Sequence, residues 1–68
     1  MEINQDNIGL VINLLRAKQG LTQTQLSERC HISLSALSRY ERGERTPTLK
    51  TALNLFHALG EKIDVTIS

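Results

Sequence analysis

ERCHISLSALSRYERG, residues Glu28 to Gly43, is the stretch whose reading decides the fold. A helix reaches Cys30, His31-Ile32 interrupts it, and Ser33 stands where a side-chain oxygen can accept from the backbone three residues on and cap a new helix. That new helix runs to about Arg42 and stops at Gly43. Leu37 and Tyr40, three apart, make its inner side. Its other side carries Ser33, Leu34, Ser35, Ser38 and Arg39, where an ordinary solvated face would carry Glu and Lys.

Upstream, Thr22-Gln23-Thr24-Gln25 has the form of a capping box: the Thr22 hydroxyl can accept from the backbone of Gln25, whose side chain reaches back. It opens a short helix from Gln23 to about Cys30, with Leu26 and Cys30 inward. Before it, Ile8, Val11, Ile12 and Leu15 recur at the spacing of one buried helical face, which predicts a helix over Gln5 to Gln19 closed by Gly20 at its C′ position. Downstream, GERTP is a turn. Thr48 or Thr46 caps a last helix from Leu49 to about Leu59, whose apolar stripe is Leu49, Ala52, Leu53, Phe56 and either Leu59 or Leu55; Gly60 stops it. The tail EKIDVTIS changes period: Ile63, Val65 and Ile67 alternate with polar residues, as a half-buried strand does. A lone strand leaves its backbone groups unpaired, so the simplest partner is the same strand of a second copy related by a twofold axis. The competing reading is a frayed or partly helical tail.

With 68 residues the chain holds one domain at most and buries only about 60% of its unfolded surface. Its aromatics are Tyr40 and Phe56, so aliphatic side chains must fill the core. One cysteine excludes an internal disulfide framework. Neither a signal-peptide pattern nor an apolar run of about 20 residues is visible, so the expectation is a cytoplasmic protein without a membrane partner. Net charge is +1 but unevenly spread. Between positions 16 and 50, Arg16, Lys18, Arg29, Arg39, Arg42, Arg45 and Lys50 outnumber Glu28, Glu41 and Glu44, a local excess of +4. Such an excess suits a polyanion, or a mixed solvated surface.

The segment GLTQTQLSERCHISLSALSRYERGERTPTLKTALNLFHALG resembles the Xre family, the lambda-repressor and Cro type of helix-turn-helix DNA-binding domain. Gly20-Leu21-Thr22-Gln23, Leu26, Ile32-Ser33, Leu37, Tyr40-Glu41-Arg42-Gly43, Pro47 and Leu53 fall in its register, and the similarity covers about Ile8 to Gly60. His31 stands where the family commonly has glycine at positive φ, and Ser27 replaces the usual small alanine. The resemblance implies an all-α, four- to five-helix lambda-repressor-like domain over residues 1–60, with residues 61–68 as a dimerisation strand carrying Ile63, Val65 and Ile67. With its LFHALGEKIDVTIS ending, the chain is similar to a narrower group, the HipB-type antitoxins, in which a short strand after the last helix pairs across the dimer.

The major groove admits one helix and is read by short polar side chains near its start. Matching positions in the family motif imply base contacts from Ser33, Leu34, Ser35, Ser38 and Arg39: hydrogen bonds from the serines, a thymine methyl against Leu34, and guanine against Arg39. They imply phosphate contacts from Thr22, Gln23, Arg42, Arg45 and Thr46, with Thr22 chiefly a cap. Arg16 and Glu41 match a family pair that forms an internal salt bridge between the first and third helices. The competing readings are solvated serines, a plain phosphate contact at Arg39, and two independent surface charges at Arg16 and Glu41.

The expected function is sequence-specific binding of an inverted-repeat operator in double-stranded DNA by a homodimeric transcriptional repressor. The alternative is a HipB-like antitoxin that represses its own operon and also holds a toxin protein. An enzyme is disfavoured: His31, His57, Cys30, Asp64 and the glutamates form no catalytic spacing. No metal or cofactor is expected, since adjacent Cys30-His31 lacks zinc-site spacing and Cys30 lies on an apolar face.

Overall fold

The computed structural model describes residues 3–60. Among them are four helices: α1 (Ile8–Lys18), α2 (Gln23–Cys30), α3 (Leu34–Glu41) and α4 (Leu49–Ala58). The all-α class expected from the sequence holds. The proposed strand residues Ile63, Val65 and Ile67 lie outside the described residues.

Three caps act as the sequence predicts. Thr22 Oγ1 accepts from the Gln25 amide at 3.0 Å while Gln25 Oε1 accepts from the Thr22 amide at 2.9 Å, a complete capping box. Ser33 Oγ accepts from the Ala36 amide at 3.0 Å, and Thr48, rather than Thr46, caps α4 by accepting from Thr51.

The first three helices close in one way. After α1, Gly20 donates to the Ala17 carbonyl and Leu21 to that of Arg16. After α2, His31 donates to Glu28 and Ile32 to Ser27; after α3, Gly43 donates to Tyr40 and Glu44 to Arg39. These paired bonds satisfy carbonyls that a helix end leaves open, and they require a left-handed residue at the turn. Gly43 supplies it at φ +75° without cost, whereas His31 adopts φ +55° as the non-glycine exception among the described residues. A histidine tolerates this conformation better than a β-branched residue does.

Two expectations are corrected. The first helix begins at Ile8, not Gln5. Asn4 and Asn7 hold the entry instead: the Asn4 amide donates to Asn7 Oδ1 at 2.9 Å, and the Ile8 amide donates to the Asn4 carbonyl at 3.0 Å. This asparagine turn competes with a helical start. In α4, both Leu55 and Leu59 are buried with Ala52 and Phe56, while Leu49 and Leu53 are 50% and 46% exposed. The buried stripe is centred about an eighth of a turn away from the one expected, because α4 packs on α2.

The core joins Ile3, Ile8, Val11 and Ile12 to Leu26, Cys30, Leu37 and Tyr40, to Ala52, Leu55 and Phe56 of α4, and to Leu59 at its C-cap. Each large aliphatic side chain buried there contributes about 1.5–3 kcal/mol. Ser27, also buried, donates through its hydroxyl to the Thr24 carbonyl at 2.8 Å. Cys30 sits in the core with its sulfur against the Asn54 carbonyl, and burial pushes its thiol pKa up, against a smaller lowering by the Arg29 charge. Asn54 in turn donates to the Cys30 carbonyl at 2.9 Å, tying α4 to the end of α2. Gln19 donates to the Leu59 carbonyl, joining the ends of α1 and α4. No helix among the described residues is long and apolar enough to cross a membrane.

Candidate nucleic-acid interface

α3 packs on both α1 and α2, burying Leu37 and Tyr40. Its remaining side is open. Ser33, Ser35 and Arg39 are exposed, Ser38 is half-buried, and Leu34 is 45% exposed. The five residues expected to form a reading face therefore do lie together on the outer side and first turn of one short helix. Leu34 is a leucine outside the core in that polar setting.

What orients this helix is a network around Glu41. Arg16 donates from Nε to Glu41 Oε2 at 2.8 Å and from Nη2 to Oε1 at 2.9 Å, and from Nη1 to the Leu21 carbonyl at 2.7 Å. The bidentate fork fixes direction as well as distance. The expected pair between the first and third helices thus forms, and it is nearly dry, with side chains 16% and 2% exposed. Two further donors reach Oε1, Asn13 Nδ2 at 2.7 Å and Gln23 Nε2 at 3.3 Å. Burial alone would raise the Glu41 pKa. The hydrogen bonds from Arg16, Asn13 and Gln23, with the Arg16 charge, hold it below the usual carboxylate range. The same hydrogen bond to Glu41 raises Arg16.

Close approach makes this network possible. Gly9 lies so near α3 that a Cβ there would sit 1.9 Å from the Tyr40 carbonyl oxygen. Neither Gly9 nor Asn13 was singled out in the sequence. Asn13 left a usable signal, since it lies three residues before Arg16 and so on a neighbouring part of the helix surface. Gly9 left none, because a helical glycine reveals its purpose only when the facing backbone is placed.

The phosphate-contact candidates divide into two groups. Thr22 and Gln23 open α2, where the first backbone N–H groups lie outside the intrahelical ladder. The Gln23 carboxamide donates one hydrogen to Glu41 and keeps a second on the same nitrogen. Arg42, Arg45 and Thr46 are exposed in the connection after α3. Arg42 donates from Nη1 to Ser38 Oγ at 2.8 Å and from Nε to Glu44 Oε2 at 2.6 Å. The Arg45 guanidinium lies 5.9 Å from the centroid of the Tyr40 ring, within cation–π range.

Residues 12–65 match the helix-turn-helix family. The chain belongs to that family, whose motif places its second helix in the major groove of DNA. It is also similar to a protein of Sinorhizobium fredii (strain NBRC 101917 / NGR234) described as the uncharacterized HTH-type transcriptional regulator y4dJ. The two are 46% identical over 46 residues, which is 68% of this chain and 60% of the relative. The chain thus spans under two thirds of that relative's length.

Proposed function

We propose that this chain is a sequence-specific DNA-binding transcriptional repressor that inserts α3 into the major groove. The observation that carries the reading is the division of α3. Leu37, Tyr40 and Glu41 anchor it, while Ser33, Leu34, Ser35, Ser38 and Arg39 face outward and are small enough, or shaped, for base edges. Arg39 donates to guanine, a contact worth about 1–3 kcal/mol of discrimination. Ser33 Oγ already accepts from Ala36, so its hydroxyl hydrogen serves as a donor to the duplex. The α2 N-terminus with Thr22 and Gln23 takes one phosphate, and Arg42, Arg45 and Thr46 follow the backbone beyond α3. These contacts set affinity and salt dependence.

A homodimer supplies the second reading helix. Two α3 helices about 34 Å apart match successive major grooves and define an inverted-repeat operator. The alternating tail residues Ile63, Val65 and Ile67 join the two protomers in this reading. A toxin-binding role as in HipB-type antitoxins is the second reading, with that same tail as the pairing strand.

The test is selection of bound duplexes from a random DNA pool at two salt concentrations. An inverted-repeat consensus is the expected result, with affinity falling steeply as salt rises. Recovery of unenriched sequence, or of single half-sites only, refutes the specific or the dimeric part respectively.

A further inference from the structure

Glu44 is the only acidic residue between Glu41 and Glu61, and Glu41 is already internally paired. In the sequence Glu44 lies among Arg42, Arg45 and Lys50, and in the fold Asp6 lines a cleft shared with Arg42 and Arg45. The place of Glu44 is not accidental to a loose loop: the Glu44 amide donates to the Arg39 carbonyl at 3.0 Å as part of the closure of α3. From there the carboxylate meets Arg42 Nε at 2.6 Å, while Nη1 of the same guanidinium reaches Ser38 Oγ. Arg42 is thus drawn along the last turn of α3 between an acid and a hydroxyl. Both partners of the ion pair are more than half exposed, at 58% and 54%, so the pair adds little to stability. Its effect falls on what Arg42 can bind next. A carboxylate on a guanidinium has the charge and the two-oxygen acceptor geometry of a phosphate on the same fork.

We propose that Glu44 is an intramolecular stand-in for a DNA phosphate. It holds Nε of Arg42 through one carboxylate oxygen in the free protein and must be displaced when the backbone docks on that nitrogen, which lowers affinity for every duplex and keeps binding readily reversible. This rests on the DNA-binding reading above, and it assigns to Glu44 a role opposite in sign to that of its neighbours.

The experiment titrates wild type, Glu44→Gln, Arg42→Ala and the double variant with the selected operator duplex and with a scrambled duplex of equal length. Circular dichroism melts confirm that each variant is folded. Glu44→Gln is expected to tighten binding of both duplexes by roughly three- to tenfold, and to have no effect when Arg42 is alanine. Unchanged or weaker binding by Glu44→Gln overturns the proposal. So does an equal gain in the Arg42→Ala background, which assigns the effect to general repulsion. If the folded wild type binds neither duplex, the DNA-binding reading itself fails, a result distinct from either of these.

Discussion

Replacing Gly9 by alanine is expected to loosen the whole motif, against the usual effect of that substitution. In an ordinary helix interior, glycine to alanine stabilises by about 1 kcal/mol. Here the new Cβ would lie 1.9 Å from the Tyr40 carbonyl oxygen and 3.0 Å from its carbon, with Glu41 Cα at 3.6 Å. Since real contacts stay above 3.0 Å, the backbones of α1 and α3 must separate by about 1.1 Å. No side chain can give way, because the obstructing atoms are main chain. Overpacking of this kind costs about 1–3 kcal/mol, and the displacement also stretches the bonds from Arg16 and Asn13 to Glu41. Taking the upper end and subtracting the propensity gain leaves a net loss of about 2 kcal/mol. A domain of this size has only about 3–10 kcal/mol in total, so the melting temperature falls by roughly 8–16 °C. Urea titration followed by far-ultraviolet circular dichroism measures the loss directly. An unchanged or higher midpoint refutes the close approach of α1 to α3.

Further outcomes follow from the same geometry. His31→Gly relieves a left-handed side-chain residue and is expected to stabilise by about 0.5–1 kcal/mol in a thermal melt, after allowing for the greater freedom of glycine in the unfolded chain. Glu41→Gln leaves a largely buried guanidinium without its anion and is expected to cost about 3 kcal/mol at pH 7. The folded Glu41 pKa lies below its unfolded value, so its stabilisation is present above about pH 4.3 and fades as pH falls through the folded value; a gap between wild type and variant that persists undiminished to pH 2 contradicts this. Arg39→Ala should reduce discrimination between operator and scrambled duplexes in competition binding by about 1–3 kcal/mol, and an equal loss on both duplexes makes Arg39 a phosphate contact. Deleting Ile63 to Ser68 is expected to shift the protein toward monomer by analytical ultracentrifugation and to weaken operator binding; a truncated chain that remains dimeric refutes the tail as the joint.

Local chemistry was the legible part of this fold. Thr22 with Gln25, Ser33, Gly20 and Gly43 mark helix ends through bonds to neighbours a few residues away, and these appear where the sequence places them. The interior spacing of Ile8, Val11 and Ile12 was equally direct. Leu49 and Leu53 misled because apolar periodicity marks a broad side of a helix, and only the partner helix decides which edge of it is covered. The start of α1 misled because Asn4 and Asn7 offer each other a turn that periodicity does not register. At the candidate interface, the outward placement of Ser33 to Arg39 follows from Leu37 and Tyr40 pointing the other way. The Arg16–Glu41 pair was legible only through family resemblance. The donors that complete it, and the Cys30–Asn54 tie, span 24 or more residues in most cases and depend on how helices are juxtaposed, which no local pattern encodes.

The separation of duties within α3 has a consequence for change over generations. Its hold on the rest of the molecule comes from Leu37, Tyr40 and Glu41, whereas Leu34, Ser35 and Arg39 lie on its exposed side, outside the core. Those three positions are free to be rewritten at small energetic penalty, so a new target preference can arise without first passing through an unstable intermediate. Ser33 is the exception, since the same oxygen that would face the duplex also starts the helix; there, novelty is confined to Thr, Asp, Asn or Gly.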